Sequence, residues 1–439
     1  MRTATALVAA VLAGPTISAQ PAPPPVPEGV APAVAPHAGG PALVLPGDPP
    51  PAEHDFALDP ADRRQALDRV RKAETLLTDV EPRGFRDQDP DFQHALVADA
   101  APIAARIYAY FGETDAANQA LGRARQALAA MPHEFASIEA EVAPSQLRAV
   151  QAAIDGGDFP TEDFDAEFVP DAWTSIAEIR FQAGDHQGAW AALQQAADAL
   201  PAFQQQLLEE ARQDPDNAQW IRDDWGWSAY GLVWCGCDFA DPARALALLE
   251  GHDLPLDTQA MIHARLAAYY AGVNHPDAAR NHLERSLNLV NQNPDEVYLD
   301  EDTYRAAIRL GDQDKSAELL ARLREEAWDP VAMAYPHAAQ AQALAQTGQI
   351  DRAKRAATIA VGMAAAAIHD DDYTPVDVAW EAYYAGWEFG AAGLTDHADT
   401  LEGAFAFPWA KAYFQLGVAR GLTNRAYPEY APIRQPLGD

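Results

Sequence analysis

The feature that most constrains the fold is a recurring unit of two helical segments joined at a glycine. In residues 172–201, AWTSIAEIRFQAGDHQGAWAALQQAADALP, small residues at Ala177 and Ala189 stand on either side of a break at Gly184. An alanine buries little apolar area, but it allows two helix backbones to approach closely. A glycine at the end of a helix can adopt a positive φ without a Cβ clash. The stretch therefore predicts a hairpin of two tightly packed antiparallel helices.

Similar units follow one another along the chain at intervals of roughly 36 residues, close to the period of known helical repeats. An aspartate such as Asp115, Asp351 or Asp396 follows several of the breaks, where a negative charge favours the start of the second helix. Strand-like alternation of apolar and polar residues is essentially absent. The predicted breaks lie at Gly112, Gly184, Asp238, Asn274, Gly311, Gly348 and Gly393.

The unit resembles the tetratricopeptide repeat and, more loosely, the Sel1-like repeat, over roughly residues 95–405. Arg180 and Gln187 depart from the tetratricopeptide pattern, which favours an aromatic residue and an aspartate at those positions. The resemblance implies an all-α fold, an α-solenoid in which stacked antiparallel hairpins form a right-handed superhelix. An irregular helical bundle is the alternative. In the opening stretch the resemblance depends on Trp173, Ile176, Ala177, Gly184, Ala189, Leu193, Ala196 and Pro201.

The N-terminal part has a different composition. Residues 1–19 combine Arg2 with a short apolar run and a small residue at Ala19, which predicts a signal peptide cleaved near Ala19. Residues 20–54 are rich in Pro and Ala and predict a disordered linker, and residues 55–439 form the predicted repeat domain. We therefore expect an exported protein, periplasmic or extracellular, with no membrane span because the apolar run is too short.

The charge balance narrows the range of partners. The chain has 31 basic and 65 acidic residues, a formal net charge of −34. Nucleic acids and anionic membrane surfaces are disfavoured, because both are bound through clusters of Lys and Arg. Asp87, Asp89 and Asp91 have the spacing of a calcium loop, but Phe92 stands where such a loop needs a glycine. The sequence predicts neither a metal nor a cofactor.

A binding groove is the first functional hypothesis, since the first helix of each hairpin lines the concave face of a tetratricopeptide solenoid. By the register that the resemblance implies, Trp380, Tyr383 and Trp387 form an aromatic stripe on that face. Trp225, Arg106 and Glu178 occupy the matching place in other repeats. The alternative is that the aromatic residues pack in the interior, as large aromatic side chains usually do.

The two cysteines, Cys235 and Cys237, lie in the sequence WCGCDF. In an exported protein they are a candidate disulfide, and a strained Cys-x-Cys bridge suits thiol exchange. The alternatives are a static bridge or two thiols near a helix end.

Signatures of known enzymes are absent: the sequence contains neither a G-x-S-x-G motif nor a phosphate-binding or dinucleotide-binding glycine loop. The sequence therefore favours a non-catalytic scaffold that binds a peptide or partner protein, in envelope assembly. The alternative is a glycan hydrolase or lyase with an α/α-toroid fold. A toroid closes on itself and gathers carboxylates around its centre, whereas an open solenoid has a curved groove. Neither the partner nor the oligomeric state follows from the sequence.

Overall fold

The fold is all-helical over the residues that the computed structural model describes, which are 43–45, 47–50, 54, 56–78, 91–130, 136–214, 221, 224–294, 296–327, 331–369 and 373–433. These residues contain 17 α-helices and no strand. The predicted signal peptide and the first part of the predicted linker lie outside them. The helices are α1 (Pro60–Thr78), α2 (Asp91–Tyr110), α3 (Thr114–Ala130), α4 (Ala136–Asp155), α5 (Val169–Gln182), α6 (His186–Gln213), α7 (Trp225–Asp238), α8 (Pro242–Leu248), α9 (Leu256–Gly272), α10 (Pro276–Gln292), α11 (Glu301–Arg309), α12 (Gln313–Glu326), α13 (Ala334–Gln346), α14 (Ile350–Ala366), α15 (Pro375–Ala391), α16 (Thr395–Leu401) and α17 (Pro408–Asn424).

Six of the seven predicted helix breaks lie where the repeated pattern places them. The break predicted at Asp238 was wrong by two residues, because Asp238 ends α7 and the residue with positive φ in that turn is Ala240, at +59°. Gly184 has φ +87° between α5 and α6, and Asn274 has φ +63° between α9 and α10. After the first of these turns, the Asp185 carboxylate accepts a hydrogen bond from the backbone N–H of Gly188 and caps α6. Each break thus reverses the chain and produces a helical hairpin.

The helices form two layers, and the burial of their residues separates the layers. Every residue of α9 from Thr258 to Gly272 is buried, whereas its partner α10 buries only a stripe that includes Ala279, Leu283 and Val290. A helix buried all round belongs to the interior, and one with a single apolar stripe belongs to the outer layer. The inner helices are α2, α5, α7, α9, α11, α13, α15 and α17, and each packs against the next one in this order.

Helices from the beginning and the end of the described sequence meet and close the inner helices into a ring. Helix α17 packs against α2, and α1 takes the outer position beside α17. The Tyr413 hydroxyl of α17 donates to the carboxylate of Asp99 in α2 at 2.6 Å. Arg69 of α1 donates to Gln415 of α17 at 2.7 Å and to Asp399 of α16 at 3.0 Å. The last hairpin of the ring is therefore assembled from the first and last helices that the structure describes.

Small residues bring α15 and α17 into close contact beside this closure. Gly386 and Gly390 of α15 face Gly417 and Gly421 of α17. A Cβ atom on Gly421 would lie 1.9 Å from the carbonyl oxygen of Trp387, and one on Gly417 would lie 2.0 Å from that of Tyr383. Only glycine permits this backbone approach, so the four glycines fix the crossing of the two helices.

The predicted open solenoid is not confirmed, because its terminal repeats would touch only their neighbours in sequence. Here the C-terminal helix is packed between its preceding hairpin and the N-terminal helices. The contact of α17 with α2 instead joins the last inner helix to the first. Glycines that allow close packing of neighbouring inner helices, as at the crossing of α15 with α17, favour this closure.

Part of the segment before α1 is packed on the ring. The Nε2 atom of His54 donates to the carbonyl oxygen of Ala426 at 3.0 Å. His282 of α10 donates through Nε2 to the carboxylate of Asp48 at 3.0 Å. None of the helices in the described ranges combines the length and the apolar character that crossing a membrane requires.

Candidate functional site

The six residues of the predicted groove all lie on inner helices, but they do not line an exposed groove. Trp225, Glu178, Trp380 and Tyr383 are buried, and only Arg106 and Trp387 keep partial exposure. Arg106 and Glu178 form an ion pair at 3.4 Å, and their charges also act on Tyr383. Trp225 lies apart from this group and packs near His252. Because the inner helices close into a ring, the predicted aromatic stripe faces the interior of that ring.

The candidate disulfide between Cys235 and Cys237 is not formed. Both thiols are free, and both side chains are buried in α7. Residues two apart in a helix point in nearly opposite directions, so a bridge would require α7 to unwind. Burial raises the pKa of both thiols well above the ordinary value, with the Glu178 carboxylate adding to the effect at Cys235. Neither thiol has the low pKa that thiol exchange requires.

Two tryptophans from opposite sides of the ring meet near its axis. The ring centroids of Trp234 in α7 and Trp387 in α15 are 5.9 Å apart. The guanidinium of Arg265 lies 4.1 Å from the Trp234 centroid, and that of Arg420 lies 5.8 Å from the Trp387 centroid. This pair divides the interior into two layers. We call the side on which the inner helices begin the N-terminal face and the other side the C-terminal face.

The C-terminal face is sealed by the chain after α17. A short 3₁₀ turn, Pro428–Tyr430, places the Glu429 carboxylate inside the ring, where Arg265 donates to it through Nη1 at 2.8 Å. Arg309 contributes a second positive charge at 3.7 Å. These cations hold the pKa of Glu429 below its usual value although burial acts in the opposite direction. A buried charge is tolerated only with such partners, so we assign these ion pairs at the C-terminal face a structural role.

A second buried network joins the helices at the closure. Arg420 of α17 donates to the Glu178 carboxylate of α5 at 3.0 Å and to the Tyr110 hydroxyl of α2 at 2.7 Å. The three side chains come from the beginning, middle and end of the sequence. Arg106 reaches the same carboxylate, so the polar groups form a connected set in which each charge has a partner.

Aromatic side chains form a continuous belt on the N-terminal face. Tyr230 and Trp227 of α7 lie on one side, with ring centroids 6.3 Å apart. On the other side Tyr384 of α15 has its centroid 5.7 Å from that of Tyr335 in α13. It also lies 6.4 Å from that of Trp387. Trp387 and Trp227 keep partial exposure, whereas the three tyrosines are buried. Aromatic faces of this kind bind flat apolar surfaces such as the face of a sugar ring.

Two aspartates with raised pKa values, Asp171 and Asp224, lie beside the aromatic belt. Burial raises the pKa of Asp171, in the first turn of α5, to about 7; the hydroxyl of Ser228, which donates to it at 2.9 Å, opposes the shift. Burial raises the pKa of Asp224, just before α7, to about 6, and the charge of Glu210 adds to this. Both aspartates nevertheless keep partial exposure. They are therefore recessed groups that solvent still reaches.

A third such group begins α11. Burial raises the pKa of Glu301 to about 7, and the charge of Asp302 raises it further. Asp302 accepts a hydrogen bond from the Tyr230 hydroxyl at 3.5 Å, which connects this group to α7. Glu301 is partly exposed. Carboxyl groups with pKa values near neutrality are protonated for much of the time at pH 7 and can serve as general acids.

The hydroxyl of Tyr384 is buried without a hydrogen-bond partner. Its side chain is 6% exposed, and its Oη atom is unpaired. Unpaired buried polar atoms are rare in folded proteins and often mark a functional position. The carboxylates of Glu381, Asp99 and Glu301 all act on this hydroxyl and, after burial, help to raise its pKa.

Sequence reasoning did not identify Asp171, Glu301 or Tyr384. Each lies near the start or middle of an inner helix, where its sequence neighbours are ordinary for a helical repeat. The only available signal was acidic residues in the first turn of a helix that is otherwise apolar all round. No group of three or more His, Cys, Asp or Glu side chains suited to a metal ion occurs among the described residues.

Comparison with known proteins gives no match to a family model, to a curated protein or to a solved structure.

Proposed function

We propose that the protein is an enzyme that hydrolyses glycosidic bonds at the N-terminal face of its helical ring. One observation carries the proposal. Carboxyl groups with pKa values near neutrality, Asp171 and Glu301, stand beside an aromatic belt and still reach solvent. Perturbed acidity in a recessed, partly accessible position is characteristic of catalytic groups.

The chemistry of glycoside hydrolysis needs two carboxyl groups with different roles. One donates a proton to the glycosidic oxygen, while the other, ionised, activates water or attacks the sugar. We assign the proton donor to Glu301, because burial and, after it, the charge of Asp302 raise its pKa to about 7. We assign the second role to Asp171: burial raises the pKa values of both carboxyl groups to about 7, but the Ser228 hydroxyl, which donates to Asp171 at 2.9 Å, favours ionisation of Asp171 rather than of Glu301. Helix α7 spans the distance between them, with Ser228 contacting Asp171 and Tyr230 contacting Asp302.

The aromatic belt supplies the binding surface in this proposal. Sugar rings pack their C–H faces on Tyr and Trp side chains, and Trp387 offers such a face in the middle of the belt. The basic groups described nearest to it, Arg305 and Arg420, are engaged with Glu388 and Glu178. A phosphorylated substrate is therefore disfavoured, since it would need free cationic groups.

The protein-binding scaffold suggested by the sequence is less well supported. It requires an open concave groove, and four of the six residues assigned to that groove, Trp225, Glu178, Trp380 and Tyr383, are buried.

The test is hydrolysis of a panel of polysaccharides by the full-length protein, measured as the release of reducing ends. We expect activity on at least one polysaccharide, and a loss of at least about a hundredfold in kcat for Glu301→Gln and for Asp171→Asn. Glu325→Gln, at an exposed position of the outer helix α12, is the matched control and should keep full activity. Activity that survives both interior substitutions, or no activity on any glycan, contradicts the proposal.

A further inference from the structure

Two arginines in the interior of the ring share one carboxylate. Arg106 of α2 donates to Glu178 at 3.4 Å, and Arg420 of α17 donates to the same carboxylate at 3.0 Å. Among the described residues this carboxylate otherwise contacts only neutral groups, the Tyr110 hydroxyl at 3.3 Å and the Cys235 thiol at 4.0 Å. One positive charge is therefore in excess, and an excess charge that is partly withdrawn from water favours the binding of a counter-ion.

Arg106 is the member of this pair that a ligand can reach. Its side chain is 11% exposed, compared with 4% for that of Arg420. A guanidinium has five N–H groups. In Arg106 one of them donates to Glu178 and one to the Ser175 hydroxyl at 2.6 Å, and the others have no partner among the described residues. Neighbouring N–H groups of a guanidinium can bind both oxygens of a carboxylate at once. Arg106 thus combines access, charge and unused donors.

Arg106 lies at the depth of Trp387, which forms the floor of the N-terminal face. Arg106 precedes Gly112, the residue with positive φ in the turn after α2, by six residues. Trp387 precedes Gly393, the corresponding residue after α15, by the same number. Both helices begin at the N-terminal face, so equal distances from the turn correspond to equal depths. Both side chains keep partial exposure, and Arg420, which shares Glu178 with Arg106, lies 5.8 Å from the Trp387 centroid. The floor therefore offers a cation and an aromatic face close together.

The carboxyl group of Asp171 stands above this floor. Asp171 precedes Glu178 by seven residues in α5, which places it about 10 Å nearer the N-terminal face. Ser175 lies between them, one turn after Asp171 and on the same side of the helix, and its hydroxyl contacts Arg106. A sugar chain held at Asp171 can therefore reach Arg106 with the end that enters the ring.

Negative charges around Arg106 have to be included in the balance. Asp99 precedes it by seven residues in α2, about 10 Å along the axis, and accepts from the Tyr413 hydroxyl at 2.6 Å. The exposed carboxylates behind the net charge of −34 act weakly at the floor, because salt screens exposed charges beyond roughly 8 Å. A single excess charge suits a singly charged carboxylate and is insufficient for a doubly charged phosphate.

We infer that Arg106 forms a subsite for the carboxylate of an acidic sugar, so that the substrate is a glycan that contains uronic acid. This rests on the proposed function, whose substrate class it names. The unused N–H groups of Arg106 donate to the carboxylate oxygens, while the sugar ring packs on Trp387. Esterification of the sugar removes the charge that Arg106 recognises and weakens binding.

The experiment compares acidic tetrasaccharides with their methyl esters, binding to the full-length protein. Chains of galacturonic, glucuronic and mannuronic acid give three such pairs, and methylation removes the charge with little change in shape. Calorimetry in a low-salt buffer at about pH 7, where free uronic acids are ionised, measures the affinities. We expect at least one free acid to bind at least about tenfold more tightly than its ester. Equal affinities within every pair, tighter binding of the esters, or no binding of any acid would overturn the inference.

Three arginine variants locate the subsite. Arg106→Gln should abolish most of the preference and leave the affinity for the ester unchanged. Glu178 keeps its contact with Arg420 in this variant, so the buried carboxylate is not left unpaired. Arg106→Lys keeps the charge without the paired donors and should retain part of the preference. Arg280→Gln, at an exposed position of α10, is the matched control and should retain all of it. Circular dichroism confirms that each variant is folded. A preference that persists in Arg106→Gln places the carboxylate elsewhere and refutes the assignment.

The outcomes also separate this inference from the proposed function. Tight, selective binding of a uronic acid chain without hydrolysis of any glycan would support the subsite and refute catalysis. Glu301-dependent hydrolysis of a neutral glycan, without selectivity for acidic sugars, would support catalysis and refute the subsite.

Discussion

Glu429 and Arg265 form a doubly hydrogen-bonded ion pair inside the ring, with neither side chain exposed to solvent. Glu429 follows the last helix, and Arg265 lies in the middle of α9. Because the pair joins the C-terminal segment to the inner layer, we expect it to contribute to the stability of the entire ring.

The first prediction concerns this pair. Glu429→Gln leaves Arg265 and Arg309 buried without their carboxylate, so the free energy of unfolding should fall by about 3 kcal/mol. Chemical denaturation monitored by circular dichroism measures the change. The exposed Glu318→Gln, which loses only a surface pair with Lys315, should change it by less than about 1 kcal/mol. Equal effects of the two substitutions would mean that the C-terminal segment does not seal the ring.

A second prediction tests closure through two arginines of the same helix. Arg69 is buried and contacts α16 and α17, whereas Arg71 is exposed and pairs only with Asp68 of α1. Arg69→Ala should destabilise the protein by about 3 kcal/mol, and Arg71→Ala by less than about 0.5 kcal/mol. Denaturation curves of the two variants provide the comparison. If the chain formed an open superhelix instead, the two variants would be equally stable.

The third prediction uses the pH dependence of stability at Asp171. Its pKa is raised from 3.8 to about 7, so between these values the folded protein holds a proton that the unfolded chain has lost. This carboxyl group therefore lowers the free energy of unfolding as the pH rises from about 4 to about 7. Above about pH 7 the group is ionised in both states, and its burial in the folded state destabilises the protein. Asp171→Asn should stabilise the protein, and more so at about pH 8 than at about pH 5. Thermal unfolding at both pH values measures this; a pH-independent effect would contradict the raised pKa.

The cysteines provide a fourth prediction. Because burial raises the pKa of both thiols, neither should react with a thiol-specific reagent in the folded protein. After denaturation both should react, giving two equivalents per chain. Rapid labelling of the native protein would show that α7 opens. Absence of labelling after denaturation without a reductant would show that the disulfide forms after all.

The fifth prediction concerns the attachment of the segment before α1. The Nδ1 atoms of His282 and His263 are 2.9 Å apart, and Nε2 of His282 donates to the carboxylate of Asp48 at 3.0 Å. Asp48→Ala removes the acceptor and leaves a buried N–H unpaired. Proteolysis within residues 43–56 should then be several-fold faster, as followed by mass spectrometry. Asp277→Ala, at an exposed site of α10, should leave the rate unchanged.

The sequence was sufficient for the local features of the fold. Gly184 and Asn274 adopt the positive φ that the pattern requires, because a tight turn between helices depends on a few neighbouring residues. Closure was not predictable in the same way. It depends on the curvature summed over all hairpins, and the contacts that complete it, such as Arg69 with Gln415, join residues at opposite ends of the sequence.

The site was predictable only in part. The register placed Arg106, Glu178, Tyr383 and Trp387 on the inward-facing side of their helices, and the structure brings these four together. Their burial could not be anticipated, since it results from closure. The raised pKa of Glu301 has the same origin, because it arises from desolvation and from like charges nearby in the folded chain.

The pairing of α1 with α17 has a consequence for the order of events during synthesis. Helix α1 leaves the ribosome together with α2 but long before α17, so the part of its surface that packs on α17 stays uncovered until the C-terminal helix is translated. Contacts of such long sequence separation slow folding and leave intermediates prone to aggregation. Removal of α17 would thus expose the surfaces of α1, α2 and α15 that it covers.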